Sequence, residues 1–267
     1  MNTMSIFKAG KFELKLGKKT YIMGILNVTP DSFSDGGKWL DVDAAVAHAL
    51  QMQADGADII DIGAQSTRPG CVKITAEEEL KRLLPILWAL KRQIRIPISV
   101  DTFYPKVAKK ALNEGVDIIN DVTGFKDTEM VKIACQSDCG CIVMHDGHND
   151  QMRGFFKAKL EEMLKSDISK ERICFDPGIG FGKTYEENLS AIRNLKNFSI
   201  DGCTMLVGAS RKRVIGSSCG NPPFEDRLPG TIAAHTIALI GGANILRVHD
   251  VKEAVQAAQV ADAILRG

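Results

Sequence analysis

The sequence predicts an α/β fold, a (β/α)8 barrel preceded by a short β-hairpin, on three observations. Short apolar runs and helix-period segments alternate eight times along the 267 residues. The apolar runs are continuous, as in the strands of a parallel sheet covered on both faces. No Gly-x-Gly-x-x-Gly follows the first of them, which removes the fingerprint of a doubly wound dinucleotide fold. A barrel of eight units fills about 250 residues as one domain. No linker, repeat or low-complexity tract divides residues 1–267, so one domain is expected.

The elements follow in order. Phe7 to Leu16, split by Gly10-Lys11, reads as a hairpin over about residues 6–16. The strand-like runs are Tyr21–Leu26, Ala57–Ile62, Pro97–Val100, Asp117–Asn120, Cys141–Met144, Arg172–Phe175, Thr204–Val207 and Asn244–Val248. Helical periodicity covers Val42–Asp55, Ala76–Arg92, Pro105–Glu114, Thr128–Ser137, Gln151–Ser166, Tyr185–Asn194, Thr231–Ile240 and Val251–Leu265. Local signals agree: Thr75 precedes an acidic first turn as an N-cap, and Gly115 sits where a helix should stop.

Composition narrows the class. Hydrophobic residues make up 45%, enough for a full core, and the formal net charge of +1 gives no reason to expect nucleic acid as a partner. No apolar run approaches the ~20 residues that span a bilayer, and the N-terminus has no signal-peptide core. Seven cysteines, odd in number and scattered, read as structural thiols in a reducing compartment rather than a disulfide framework. A cytoplasmic protein is expected.

A barrel builds its site at the carboxyl ends of its strands. Those positions hold Asn27, Asp61, Asp101, Asn120 with Asp121, Met144 with His145, Asp176, the cluster Ser210-Arg211-Lys212-Arg213, and Arg247 with His249. Asp101, Asn120, Asp176 and Lys212 combine acceptors and donors suited to the edge of a flat, nitrogen-rich heterocycle. Asn27, Thr67, Arg68, Arg247 and His249 suit an anionic group such as a diphosphate. The Arg forks donate in a plane, and an Asn carbonyl completes a Mg2+ shell otherwise made of water and phosphate oxygens. Asp61 and Asp121 either brace neighbouring loops or enter the site. His48 and His235 lie inside helices and read as structural or solvated, and Arg82, Lys91 and Arg92 as a charged helix face. The polar loop after the first strand, through Pro30 to Gly37, is too long for a connector and reads as a lid.

Taken together, these segments resemble one family. Gly24-Ile25-Leu26-Asn27-Val28-Thr29-Pro30-Asp31-Ser32-Phe33-Ser34-Asp35-Gly36-Gly37 looks like the first signature of the dihydropteroate synthases, and Ser66-Thr67-Arg68-Pro69-Gly70 like their second loop. Ile98 to Thr102, Ile118 to Asp121, Asp176 to Lys183, Ser210 to Lys212 and Arg247 to His249 match in order and spacing. The resemblance spans essentially the whole chain. It implies a TIM barrel that joins 6-hydroxymethyl-7,8-dihydropterin diphosphate to p-aminobenzoate, with Mg2+ as cofactor. By that likeness Asp101, Asn120, Met144, Asp176 and Lys212 hold the pterin. Asn27 takes the metal and, with Thr67, Arg68, Arg247 and His249, the diphosphate. Phe33, Pro69, Phe181 and Arg213 meet p-aminobenzoate, which sulfonamides would mimic. The catalytic set is then Asn27, Asp101, Lys212, Arg247 and His249.

The likeness further implies small-molecule substrates, no nucleic acid, no membrane, and a homodimer. The stretch between Met144 and Asp176 is shorter than in many such chains, and a trimmed fifth helix is expected. Two other readings compete. A methyltetrahydrofolate–corrinoid methyltransferase shares the strand-end Asp and Asn but needs no diphosphate clamp, and a non-catalytic pterin-binding paralogue would show degraded loops. Asn27, Thr67-Arg68-Pro69-Gly70 and Arg247 with His249 favour the synthase.

Overall fold

The computed structural model describes residues 5–28, 42–66, 72–200 and 202–267. Strands β1 (Ile6–Ala9) and β2 (Phe12–Lys15) pair antiparallel around Gly10, whose φ of 55° suits a tight turn. Eight parallel strands follow: β3 (Tyr21–Asn27), β4 (Ile59–Gly63), β5 (Ile98–Asp101), β6 (Ile118–Asp121), β7 (Gly140–Met144), β8 (Ile173–Asp176), β9 (Thr204–Val207) and β10 (Ile245–Val248). They close into a barrel in the order β10-β3-β4-β5-β6-β7-β8-β9. Closure leaves the eight-stranded sheet without a free edge.

The helices are α1 (Val42–Ala54), α2 (Ala76–Leu90), α3 (Pro105–Asn113), α4 (Thr128–Cys135), α5 (Asn149–Lys165), α6 (Tyr185–Arg193), α7 (Leu195–Phe198), α8 (Arg213–Ser218), α9 (Leu228–Ile240) and α10 (Val251–Arg266). The hairpin, the eight strands and the eight principal helices lie where the sequence places them, within a few residues at their ends. Thr75 caps α2, its hydroxyl accepting the Glu78 N–H at 3.2 Å. Gly115 follows α3 at φ 94°, where a side chain would be strained. At 17 residues α5 is the longest helix among the described residues, and it starts at Asn149, two residues before the periodicity became visible. The short helices α7 and α8 escaped because four and six residues complete barely one or two turns of any pattern.

Two apolar layers make the core. One lies between the strands and their helices, where Leu26, Ile60, Ile62, Val100, Ile119, Val143, Phe175 and Val207 face outward onto helix side chains. The other fills the barrel at the amino ends of the strands: Met23, Ile59, Ile118, Ile142, Cys174, Leu206 and Ile245, closed from below by Phe7, Ala9, Leu14 and Leu16 of the hairpin. The hairpin seats closely. A Cβ on Gly140 would stand 2.8 Å from the Phe7 ring, so β7 begins with the one residue that admits it.

Candidate active site

Side chains on a strand alternate faces, so the residue two positions beyond a bottom-layer residue also points into the barrel, one layer higher. Ile59 is followed by Asp61, Ile118 by Asn120, Ile142 by Met144, Cys174 by Asp176, and Ile245 by Arg247. On β5 the buried Ser99 precedes Asp101 in the same way. The expected site ring is therefore the upper interior layer of the barrel. Period-two alternation converts the apolar plug below into a polar chamber above.

Four of these side chains are linked to one another by hydrogen bonds. The Arg247 guanidinium donates from Nε to Asp61 at 2.6 Å and from a terminal nitrogen to Asp101 at 3.0 Å. The Asn120 amide donates to the same Asp61 oxygen at 3.2 Å. Asp61, fully buried and bonded to both Asn120 and Arg247, belongs to the chamber. Asp121, by contrast, braces its own loop, accepting from the backbone and hydroxyl of Thr123 at 2.7 Å each and from the Phe125 N–H at 2.9 Å. Asp101 keeps one buried oxygen without a hydrogen-bond donor among the described residues, as does Asp61. Such oxygens are acceptors waiting for a ligand's N–H.

Charge in this dry chamber is perturbed. Burial pushes the Asp101 carboxyl up to about 7, against the opposing pull of Arg247. Asp176 is raised by burial as well, with Lys212 pulling it back, and it accepts the Gly178 N–H at 2.8 Å. Burial lowers the Lys212 ammonium to about 8 although Asp176 favours its charge. Lys212 donates to the Ile179 carbonyl and lies 4.7 Å over the half-buried Phe181 ring. Arg247 is held in its charged form by Asp61 and Asp101 despite burial.

The loop after β8 is shaped by its glycines. Gly178 has φ 65°, and a Cβ there would lie 2.1 Å from the His145 carbonyl oxygen. Lys183 reaches back to the carbonyls of His145 at 3.2 Å and Phe181 at 3.3 Å, tying this loop to the end of β7. His145 is buried against Phe155, ring centroids 5.2 Å apart, and burial drops its imidazole to about 4. It is neutral packing rather than an acid or base. His235 is likewise buried and neutral, its Nε2 accepting the Ala209 N–H at 3.2 Å, while His48 is exposed.

His249 follows β10, and its Nδ1 lies 2.9 Å from the Ser210 hydroxyl. Arg213 is exposed as the first residue of α8. Asn27 ends β3, with its carbonyl oxygen 3.6 Å from where a Gly63 Cβ would sit. Phe33, Thr67, Arg68 and Pro69 lie outside the described residues. Among the described residues no three His, Cys, Asp or Glu side chains come together as a metal cluster. The donor set fits Mg2+ in another way: one neutral amide oxygen, from Asn27, beside cationic groups suited to phosphate. Mg2+ commonly takes one or two protein oxygens, with waters and substrate phosphates completing its shell.

One buried ionisable group had gone unread. Glu79 on α2 is fully buried, and burial raises its carboxyl to about 7 against the pull of Thr102 and Arg82. It sits in the stretch Glu77-Glu78-Glu79, which looks like an ordinary acidic first turn. Its spacing to Leu83, Ile86 and Leu90 was the available signal, since the four share the buried face of the helix. Arg82, read as part of an exposed face, is half-buried and donates to Glu78 at 2.9 Å.

A parallel barrel with a polar upper chamber of three carboxylates, an amide, a lysine and an arginine defines a class that binds a flat, hydrogen-bonding heterocycle. The family of pterin binding enzymes matches the chain over residues 23–249. A dihydropteroate synthase of Clostridium beijerinckii is 44% identical over 268 residues, covering 97% of this chain and 99% of that one. Among solved structures, the dihydropteroate synthase of Clostridium difficile in the presence of pteroic acid superposes with a TM-score of 0.90 at 44% identity, over 94% of this chain and 99% of that chain. That of Xanthomonas albilineans with 4-aminobenzoic acid reaches 0.93 at 38% identity, over 99% of this chain and all of that one. The chain belongs to the dihydropteroate synthase family of pterin binding enzymes.

Proposed function

We propose that this enzyme condenses 6-hydroxymethyl-7,8-dihydropterin diphosphate with p-aminobenzoate, releasing diphosphate and 7,8-dihydropteroate in folate synthesis. The observation that carries the reading is the hydrogen-bonded chain Asn120–Asp61–Arg247–Asp101 above an apolar plug, with Asp176 and Lys212 in the same chamber. A corrinoid methyltransferase would share the carboxylates and amide but would have no use for Arg247 of β10 and the histidine that follows the strand.

In this reading the pterin edge meets Asp101, Asn120, Asp176 and Lys212, with Met144 against its face. Arg247 and His249 attract the diphosphate, joined by Asn27, Thr67 and Arg68. Asn27 would be the protein ligand of a bound Mg2+, which would supply positive charge at the leaving group. Breaking the C–O bond leaves charge on the diphosphate and on the pterin methylene. Arg247 favours the former and Asp101 the latter, so the aniline nitrogen meets a strong electrophile and needs no dedicated base. Phe181 over Lys212, with Phe33, Pro69 and Arg213, forms the p-aminobenzoate side, where sulfonamides should compete.

Two further expectations belong to the same reading. The enzyme works as a homodimer, supported by the exposed Ile237 and Ile240 of α9 and Val260, Ile264 and Leu265 of the adjacent α10. It resides in the cytoplasm, supported by Cys135, Cys139, Cys141, Cys174 and Cys219, which form no disulfide among the described residues. The test is diphosphate release measured with both substrates present. Release that depends on p-aminobenzoate and on Mg2+ is expected, and a Phe33→Ala variant should lose p-aminobenzoate affinity far more than pterin affinity. No release with both substrates and metal supplied would reject the reading.

A further inference from the structure

The two loops that follow β9 and β10 are clamped together by Ser210, Arg211, Phe224, Thr231 and Asp250, none of them a proposed substrate contact, acting around His249, which is one. Ser210 is 3% exposed, and its hydroxyl lies between two nitrogens of His249. The His249 backbone N–H donates to it at 3.1 Å, and the His249 ring Nδ1 stands 2.9 Å away. Arg211 holds a left-handed φ of 54°, a strained conformation for a side chain of its size. It is kept there by a two-pronged ion pair to Asp250, whose Nε contact measures 2.8 Å, and by its own backbone N–H donating to Thr231 at 2.9 Å. The Arg211 guanidinium also covers the Phe224 ring at 5.3 Å, and that ring meets the His249 imidazole edge-on at 5.4 Å.

A hydroxyl has one hydrogen and two lone pairs. A backbone N–H can only donate, so one Ser210 lone pair is taken by His249 itself. If Nδ1 also carried a hydrogen, the hydroxyl would accept twice and its own buried hydrogen would need another acceptor. Among the described residues no other group is hydrogen-bonded to the Ser210 hydroxyl. The arrangement that satisfies every group has Ser210 donating to a bare Nδ1. In a neutral imidazole the hydrogen then sits on the opposite nitrogen, Nε2.

We propose that Ser210 is a positioning residue that fixes His249 as the Nε2–H tautomer, so that the imidazole presents a neutral N–H donor to the diphosphate as negative charge develops on it. The inference rests on the diphosphate role given to His249 above. Arg211 and Phe224 complete the device by locking the ring's place and plane. A donor fixed before reaction stabilises the leaving group without reorganising during the step. Lys212, next in the same turn, is delivered to the pterin side by the same backbone, so one short loop serves both halves of the substrate.

The experiment uses the full chain with 15N-labelled histidine, the His249 signals being assigned by comparison with His249→Gln. Long-range 15N–1H correlation should show a single Nε2–H tautomer for His249 in the wild type and a mixture in Ser210→Ala. The same variant, with an unchanged thermal transition, should raise KM for the pterin diphosphate about tenfold, the worth of one hydrogen bond to a charged group. Affinity for the hydroxymethyl pterin lacking the diphosphate should stay within about twofold. Ser210→Thr, which keeps the hydroxyl, should restore both tautomer and KM. An Nδ1–H tautomer in the wild type, or a tautomer unaffected by Ser210→Ala, overturns the assignment. A changed tautomer with an unchanged KM instead overturns the role of His249 at the diphosphate.

Discussion

The two ends of the barrel are built by the same strands to opposite purposes. At the bottom, Met23, Ile59, Ile118, Ile142, Cys174, Leu206 and Ile245 close over Phe7 of the hairpin in a dry apolar plug. Two residues further along most of those strands stand Asp61, Asn120, Met144, Asp176 and Arg247. The lower layer gains free energy from burial, roughly 25 cal/mol for each Å2 of apolar surface. The upper layer surrenders some by burying charges that only partly satisfy one another. Stability is concentrated at one end, which frees the other to hold half-satisfied groups for a ligand.

The sharpest way to break this contrast is at Arg247. Arg247→Leu leaves Asp61 and Asp101 buried without their cation, and breaking such a buried pair costs about 3–5 kcal/mol. It should lower kcat/KM about 100-fold or more as well, the equivalent of about 2.7 kcal/mol of transition-state binding. Urea unfolding and steady-state kinetics read the two losses. A fully active, stable variant would mean the network is ornamental.

Phe7→Ala is the counterpart at the bottom. Its ring is fully buried under the barrel, so the change should cost about 3–5 kcal/mol of stability. In the enzyme that remains folded, kcat/KM should stay within about twofold, because the chamber lies a layer above. If activity fell along with stability, the two ends would not be independent.

Glu79 lies on the chamber's outer side and makes the burial penalty measurable by pH. Its carboxyl is raised to about 7 in the folded chain, whereas an unfolded Glu titrates near 4.3. Between those values the folded state binds the extra proton, so this group's contribution to stability falls as pH rises from about 4 to about 7 and is flat above. Glu79→Gln should therefore gain on the wild type across that window, by about 4 kcal/mol in all. Parallel Tm curves for the two proteins from pH 4 to 7 would show that the carboxyl is hydrated after all.

The smallest effect concerns Lys212. Its ammonium, lowered to about 8, is lost as pH rises through that value. Pterin affinity, measured by titration calorimetry, should drop by up to about tenfold per pH unit above 8. A flat profile to pH 10 would mean that the lysine charge is not what the pterin meets.

The sequence and the structure divide the site between them. Asp101, Asn120, Asp176 and Arg247 could be found without coordinates, because strand ends and alternation are local and the barrel's active face is general. The environment of Glu79 could not, since its spacing to Leu83, Ile86 and Leu90 marks the buried face but only the structure brings Thr102 and Arg82 around it. Nor could the role of Asp61, which read equally as loop brace or site residue until Arg247 was found on it.

The sequence by itself determined the order of elements, the closure implied by eight equivalent units, and the layer in which each strand places its polar residue. These follow from periods of two and 3.6 residues and from turn chemistry, which act between near neighbours. Only the tertiary structure decided the partners. Arg247 meets Asp61 across 186 residues of chain and Asp101 across 146, and Ser210 meets His249 across 39. The face a side chain occupies is a local property, while the partner it finds there is set by how the barrel closes and how far each side chain reaches.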